Sequence, residues 1–307
     1  MKVYRGDPSA WDVGARQTAV AIGVFDGVHR GHLAVLERLR ERSEGLPVIA
    51  MTFATHPVSI VTGLPGPPAL APLKRRIEMF AHTGIEGVAV IEFDEAVRQL
   101  APAAFVTEYL VEGLNAALVA VGVGFRFGYD AAGDVDTLRL CGQEHGFKVI
   151  ETPIVDLHGT EVRSSAIRAA IASGGVALAA RMLGRPFEIE GTVVAGDARG
   201  RSIGFPTANI TMPDGLVRPA TGVYVVRCDV DGVTYDGVSN VGTRPTFGGG
   251  DEIIEVHLLD ADVDLYGRNM RVRFIDRLRN EQHFTSPDAL VAQIKSDVIR
   301  ARQILAE

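Results

Sequence analysis

Up to Gly184 the chain alternates short apolar runs with helical stretches, and this rhythm restricts its first half to a sheet of parallel strands. Residues 18–25, 46–53, 87–93 and 117–123 are continuous apolar or β-branched runs, the pattern of strands buried on both faces. Between them, residues 33–42, 73–81, 103–114 and 135–145 carry helical periodicity. This order predicts βαβ units wound onto both faces of one sheet, and such sheets bind ligands beyond the carboxyl ends of their strands. Chemistry is therefore expected in the loops after Phe25, Phe53 and Val123. After Gly184-Arg185-Pro186 the pattern changes. Short strands at residues 187–194, 222–230, 233–238, 253–259 and 270–274 follow one another across Gly, Asp, Asn and Pro turns, which predicts a compact antiparallel barrel. A closing helix from Pro287 to about Leu305 sets Leu290, Ile294 and Val298 on one face, behind the cap candidate Ser286. The expected fold class is α/β plus all-β: a doubly wound domain over residues 1–184 and an antiparallel β-barrel over 185–307.

The 307 residues suffice for two cores, and 47% hydrophobic with 22% charged residues is a globular composition. The apolar runs are far too short to span a bilayer, so no membrane partner is expected. The opening Met1-Lys2-Val3-Tyr4-Arg5-Gly6-Asp7 has no apolar signal core. Cys141 and Cys228 stand far apart, outside any zinc spacing, as suits a reducing cytoplasm. A net charge of −7 argues against nucleic acid as a partner, whereas a small phosphorylated ligand needs only local positive potential. The sequence is silent on oligomeric state.

The first expected strand runs into Asp26-Gly27-Val28-His29-Arg30-Gly31-His32 and then a helix. Asp26-Gly27 reads as a tight turn, Gly31 as room for close backbone approach, and the helix start as a set of unpaired N–H groups, together an anion site. His29 and His32 add ring donors at the same mouth, which transfer of a nucleotidyl group uses as charge redistributes on the α-phosphate. A bare H-x-G-H is as often a capping or surface feature.

The second half contains no GxxxxGK[ST] loop, so a kinase there would not be of the P-loop kind. It does contain Gly200-Arg201-Ser202-Ile203-Gly204-Phe205-Pro206-Thr207-Ala208-Asn209. In extended chain Thr207 and Asn209 point to one side and offer two oxygens to Mg²⁺, which takes few protein ligands beside substrate phosphates, although a bare tetrapeptide of this kind is more often an ordinary polar turn. Alternation over residues 253–259 puts Ile254, Val256 and Leu258 on one face and Glu255 with His257 on the other. Most carboxylates so placed are solvated outer-face residues.

Gly23-Val24-Phe25-Asp26-Gly27-Val28-His29-Arg30-Gly31-His32 resembles the adenylyltransferase signature of the bacterial bifunctional riboflavin kinase/FAD synthetases. Thr52-Phe53-Ala54-Thr55-His56-Pro57, Phe125-Arg126-Phe127-Gly128 and Val162-Arg163-Ser164-Ser165-Ala166-Ile167-Arg168 resemble its further segments. Gly204-Phe205-Pro206-Thr207-Ala208-Asn209 resembles the riboflavin kinase signature, and Gly222-Val223-Tyr224, Ser239-Asn240-Val241-Gly242-Thr243-Arg244, Glu255-Val256-His257 and Arg279-Asn280-Glu281 follow in the family's order.

The resemblance implies a Rossmann-like nucleotidyltransferase followed by a kinase barrel, with riboflavin, FMN and ATP as substrates and Mg²⁺ as cofactor. It implies that Gly23, Phe25, Asp26, Gly27, His29, His32, Ser164, Ser165 and Arg168 serve ATP and its phosphates, and that His56, Pro57, Phe125, Arg126 and Phe127 serve the flavin. In the kinase it implies Glu255 as general base, Thr207 and Asn209 on Mg²⁺, and Gly204, Asn240, Arg244, Arg279 and Glu281 around nucleotide and flavin. Two positions depart from the pattern. Gly124 stands where an Asp or Asn is usual, and Ser164-Ser165 supplies two hydroxyls where three are usual. An Asn at 124 would speed FAD formation, unless Gly124 turns the chain at a positive φ. The residues leave two other readings open: a riboflavin kinase with a weak or inactive first module, and a non-catalytic flavin or nucleotide sensor.

Overall fold

The apolar runs of the first half form strands that are buried along all or most of their length. β1 (Lys2–Tyr4), β2 (Thr18–Ile22), β3 (Val48–Phe53), β4 (Gly87–Ile91), β5 (Ala116–Gly122) and β6 (Lys148–Thr152) make one sheet in the order β1-β4-β3-β2-β5-β6, with every pairing parallel. This is a computed structural model, and it describes residues 1–14, 16–195, 200, 203–244, 251–261 and 263–306, with only the backbone of 243, 244, 251 and 252. Helices α1 (Arg30–Arg42), α2 (Pro57–Thr62), α3 (Leu73–Ala81), α4 (Glu95–Arg98), α5 (Pro102–Phe105) and α6 (Val135–His145) connect the strands. One face of the sheet packs Ala19, Ala21 and Ala50 under Val35, Leu39 and Phe80; the other packs Val20, Met51 and Val119 under Tyr109, Leu110 and Leu138. The expected helix at 103–114 is α5 running into a π-helix, Val106–Gly113. The edge strands β1 and β6 were not expected: each pairs with one neighbour only and is too short or too polar to read as a buried run. Strand order reverses at β2, with β3 on one side and β5 on the other, so the crevice for a ligand lies past Ile22 and Gly122. A small antiparallel pair, β7 (Asp156–Leu157) and β8 (Thr160–Glu161), follows the sheet.

The chain divides into two compact units, Met1–Ser164 and Ser165–Glu307. All of α7 (Ser164–Ala172) after its first residue, and all of α8 (Val176–Leu183), fall in the second of these units. α8 lies on β9 (Phe187–Val194) and β14 (Asn269–Arg279). Arg277 fastens the turn between α7 and α8: its guanidinium donates to Ser173 O at 3.5 Å and Thr221 O at 2.6 Å and lies 5.8 Å from the Tyr224 ring centre. The second unit is a closed antiparallel barrel, β10-β13-β12-β11-β14-β9, with β10 (Ala208–Ile210), β11 (Gly222–Val230), β12 (Val233–Arg244) and β13 (Asp251–Leu258). Tyr224, Phe274, Ile254, Val256 and Val272 fill its interior, with Tyr224 edge-on to Phe274 at 5.4 Å. Helix α9 (Pro287–Ala306) covers part of the outside through Val298 and Ala301 on Val223, Val225 and Val238.

Gly174 turns the chain between α7 and α8 at φ +84°, and a Cβ there would stand 2.7–2.9 Å from Arg277 side-chain atoms. Gly174→Ala should lower the stability of the second unit by about 1–3 kcal/mol, from left-handed backbone strain and displacement of Arg277. Urea unfolding followed by circular dichroism should show a lower midpoint at unchanged slope.

Candidate active sites

Beyond β2 the chain enters a tight turn closed by Val28 N–H on Phe25 O at 3.0 Å, as the Asp26-Gly27 pair predicts. Phe25, Gly27 and Val28 all have positive φ, an arrangement that only a firmly held loop sustains. Two contacts hold it. Phe25 is buried edge-on against Phe80 at 5.3 Å, and the buried Asp26 carboxylate accepts from Leu70 N–H at 2.9 and 3.1 Å. Asp26 thus binds the loop over residues 70–71 rather than pointing away from the protein. Gly31 likewise makes room for the protein itself, since a Cβ there would meet the His29 ring at 3.1 Å and Val162 O at 3.2 Å.

His29 and His32 form a reciprocal cap at the start of α1. His29 Nδ1 accepts from His32 N–H at 3.3 Å, His32 Nδ1 accepts from His29 N–H at 3.4 Å, and the rings stack 3.5 Å apart. An imidazole nitrogen that accepts carries no proton, so each ring keeps its proton on Nε2. The cap therefore turns two histidines into two oriented Nε2–H donors at a helix N-terminus, where anions are favoured. Ser164, the last residue of the first unit, donates from Oγ to Asp26 O at 3.2 Å. Ser165, exposed, and Arg168, half-buried, continue α7 into the second unit.

The other residues assigned to this half separate into two groups. His56 caps α2 through Val58 N–H at 3.3 Å with Pro57 behind it, and Phe125 stacks on Phe127 at 5.5 Å. Phe127 itself is buried among Phe105 and Val135, a core position, and Arg126 pairs with Asp134 at 3.3 Å. Gly124 has φ +75° with open space around it.

In the barrel, strand register does what spacing alone could not. Asn209 on β10 pairs with Glu255 on β13, which pairs with Asn240 on β12, so the three side chains form one row on the outer face. Asn209 is 6% exposed and its Oδ1 has no hydrogen-bond partner among the described residues, an acceptor left open in a buried place. Thr207 lines a cavity of about 460 Å³ with Pro206, Val193, Leu258, Leu265 and Tyr266. Gly242 leaves the floor beside the row bare: a Cβ there would stand 3.0 Å from Glu281 Oε1 and 3.2 Å from Asn240 Nδ2. Arg279 is committed to the buried Asp297 at 2.9–3.1 Å and ties β14 to α9. The Arg244 side chain lies outside the described residues.

Two side chains had no role assigned from the sequence. His257 accompanies Glu255 on its face, and its Nδ1 lies 2.9 Å from Pro206 O, so it holds the segment that carries Thr207. As the carbonyl only accepts, Nδ1 is the donor there. Arg76 is buried in α3, and its signal was a charged residue at an apolar helical position.

Hydroxyl and amide oxygens at Thr207 and Asn209 suit Mg²⁺, and the open Asn209 acceptor is the kind of atom a cation would satisfy. Among the described residues no three His, Cys, Asp or Glu side chains are grouped to hold a metal. A cation here would thus draw its remaining ligands from water and phosphate.

Two family models match the chain: residues 13–166 match FAD synthetase, and residues 183–305 match riboflavin kinase. A bifunctional riboflavin kinase/FMN adenylyltransferase of Escherichia coli K12 is 40% identical over 306 residues, covering 99% of this chain and 97% of that one. The Pseudomonas fluorescens and Bacillus subtilis proteins of the same name are 42% and 36% identical, over 95% and 92% of this chain and 94% and 90% of theirs. A crystal structure described as a macrolide-efflux protein from Streptococcus pneumoniae superposes with a TM-score of 0.89 at 31% identity, covering 98% of this chain and 99% of that one.

Left-handed backbone costs Asn about 1 kcal/mol, and one new hydrogen bond returns about 0.5–1.5 kcal/mol, so the two nearly cancel at position 124. Gly124→Asn should leave FAD formation within about fivefold of the parent, and Gly124→Val, with the strain and no bond, should be slower than both. Steady-state rates for the three proteins test the order.

Proposed function

The chain belongs to the bifunctional riboflavin kinase/FMN adenylyltransferase family, and we propose how its two units share the two reactions. It phosphorylates riboflavin to FMN with ATP, and it adenylylates FMN to FAD with release of pyrophosphate. We assign adenylyl transfer to residues 1–184 and phosphorylation to 185–307, although α7 and α8 pack with the barrel. The observation that carries the kinase assignment is the row Asn209–Glu255–Asn240.

In the kinase step Glu255 takes the proton of the terminal ribityl hydroxyl while that oxygen attacks the γ-phosphorus and ADP leaves. The neighbouring amides hold the carboxylate's surroundings polar, and the cavity beside Thr207 is of a size and apolarity to seat the adenine of ATP. Thr207 and Asn209 would hold Mg²⁺, which neutralises phosphate charge when bound. His257 keeps Thr207 in place through Pro206 O.

In the adenylyl step an FMN phosphate oxygen attacks the α-phosphorus of ATP and the bond to pyrophosphate breaks. The Nε2–H groups of His29 and His32 donate to the phosphate oxygens as charge shifts, with the α1 N-terminus adding its dipole. No side chain needs to act as a nucleophile. We place both reactions in the cytoplasm, where ATP is supplied and thiols stay reduced. Cys141 and Cys228 are both buried and unpaired, and burial raises each thiol's pKa. Efflux, the property named for the Streptococcus pneumoniae structure, is the second reading. No helix among the described residues is long and apolar enough to cross a membrane, and the phosphate-directed donors favour transfer. A sensor is disfavoured because it has no use for a base set between two amides.

Incubation with riboflavin, ATP and Mg²⁺, with FMN and FAD resolved, tests the assignment. Glu255→Gln should cut FMN formation by roughly 10²–10⁴-fold and leave FAD formation from supplied FMN unchanged. Parent-like FMN formation in that variant would make Glu255 a surface residue. His29→Ala and His32→Ala should each raise the adenylyl barrier by about 3–4 kcal/mol with the kinase step intact. Full FAD synthesis in the double variant would refute the assignment of the donors.

A further inference from the structure

Leu73, Ile77 and Phe80 recur along α3 at the spacing of one buried face, and Arg76 stands in the same stripe, 6% exposed. Its Nη1 donates to Val24 O at 2.8 Å and Thr52 Oγ1 at 3.2 Å; its Nη2 donates to Phe53 O at 3.0 Å and Ala54 O at 3.3 Å. Thr52 Oγ1 in turn donates to Val24 O at 2.8 Å. These acceptors sit where β2 and β3 leave the sheet, just before the turn that carries His29 and His32 and the segment that carries His56. Burial lowers the Arg76 pKa, and the Asp26 carboxylate opposes that shift, so loop and guanidinium are also coupled by charge.

We propose that Arg76 is a positioning residue for adenylyl transfer, fixing residues 23–32 against residues 52–57. The proposal rests on the assignment of that reaction to the first unit. Only a planar fork meets acceptors on both segments at once, whereas a lysine ammonium offers three donors from a single point. Neither Arg76 nor its four acceptors needs to touch substrate. Loosening the fork lets two substrate-bearing segments drift relative to each other, and a shift of about 1 Å costs on the order of 10²-fold in rate.

The experiment compares the full-length parent with Arg76→Lys and Arg76→Ala. The parent must first form FAD from FMN and ATP; its failure to do so would sink the functional assignment, not the role of Arg76. Emission of Trp11, the single tryptophan, buried in the first unit, reports whether that unit is folded. We expect kcat for FAD formation to fall roughly 10²-fold in Arg76→Ala and roughly tenfold in Arg76→Lys, with KM for ATP moving less than about threefold. Riboflavin phosphorylation should stay at the parent rate. Added ethylguanidinium should restore part of kcat to Arg76→Ala and none to Arg76→Lys. A purely structural role predicts lower thermal stability with parent kcat in the folded variants, and that result would overturn the proposal. Should Arg76→Ala not fold, Arg76→Lys decides: a parent kcat refutes the positioning role and a tenfold loss supports it.

Discussion

Where a strand leaves its ladder, its last carbonyls lose their partners, and a buried carbonyl without a donor is costly. The turn that carries His29 and His32 and the segment that carries Thr207 lie at such exits, after β2 and before β10. The protein meets the constraint with side chains that donate to several main-chain oxygens at once. Arg76 serves Val24, Phe53 and Ala54 in the first unit, while Arg277 serves Ser173 and Thr221 in the second. His257 gives the same support to the single oxygen of Pro206. Arg76 and His257 each leave a candidate site segment irregular in backbone yet held in place, which is what preorganisation of a phosphate site requires.

That device explains which parts of the molecule were legible in sequence. Buried central strands announce themselves as apolar runs, and all four expected runs overlap β2 to β5. Strands with one neighbour carry no such mark: Lys148–Thr152 holds Lys, Glu and Thr among its five residues. Ala208–Ile210 is too short for a period to show. The helices α7 and α8 are mostly alanine and small residues, and the turn Ser173-Gly174-Gly175 between them is fastened by Arg277, more than a hundred positions away. No local pattern can report a partner at that distance.

The sites were legible to a similar degree, and for a similar reason. Motifs locate a segment but do not say which way each side chain faces. Asp26, Phe127 and Arg279 all belong to recognisable segments, yet each is buried or bound to the scaffold: Asp26 on Leu70, Phe127 among Phe105 and Val135, Arg279 on Asp297. His29 and His32 show the opposite case. Their capping role, which on a bare sequence competes with the phosphate role, is the means of fixing the proton on Nε2. The cap is compatible with the proposed donation to phosphate, because it occupies Nδ1 of each ring and not Nε2.

The apolar interior decides which way the row Asn209–Glu255–Asn240 faces. Tyr224, Phe274, Ile254 and Val272 are packed inside the six-stranded barrel, and Val256 and Leu258 on the same inward face also line the cavity beside Thr207. Alternation along β13 then sends Glu255 outward whenever its neighbours Ile254 and Val256 pack inward, and register sets Asn209 and Asn240 beside it. A slip of one residue in either pairing would break the row and put polar side chains into the core. The hydrophobic interior therefore enforces the polar geometry outside, and α9, lying on Val223, Val225 and Val238, covers the apolar part of that face.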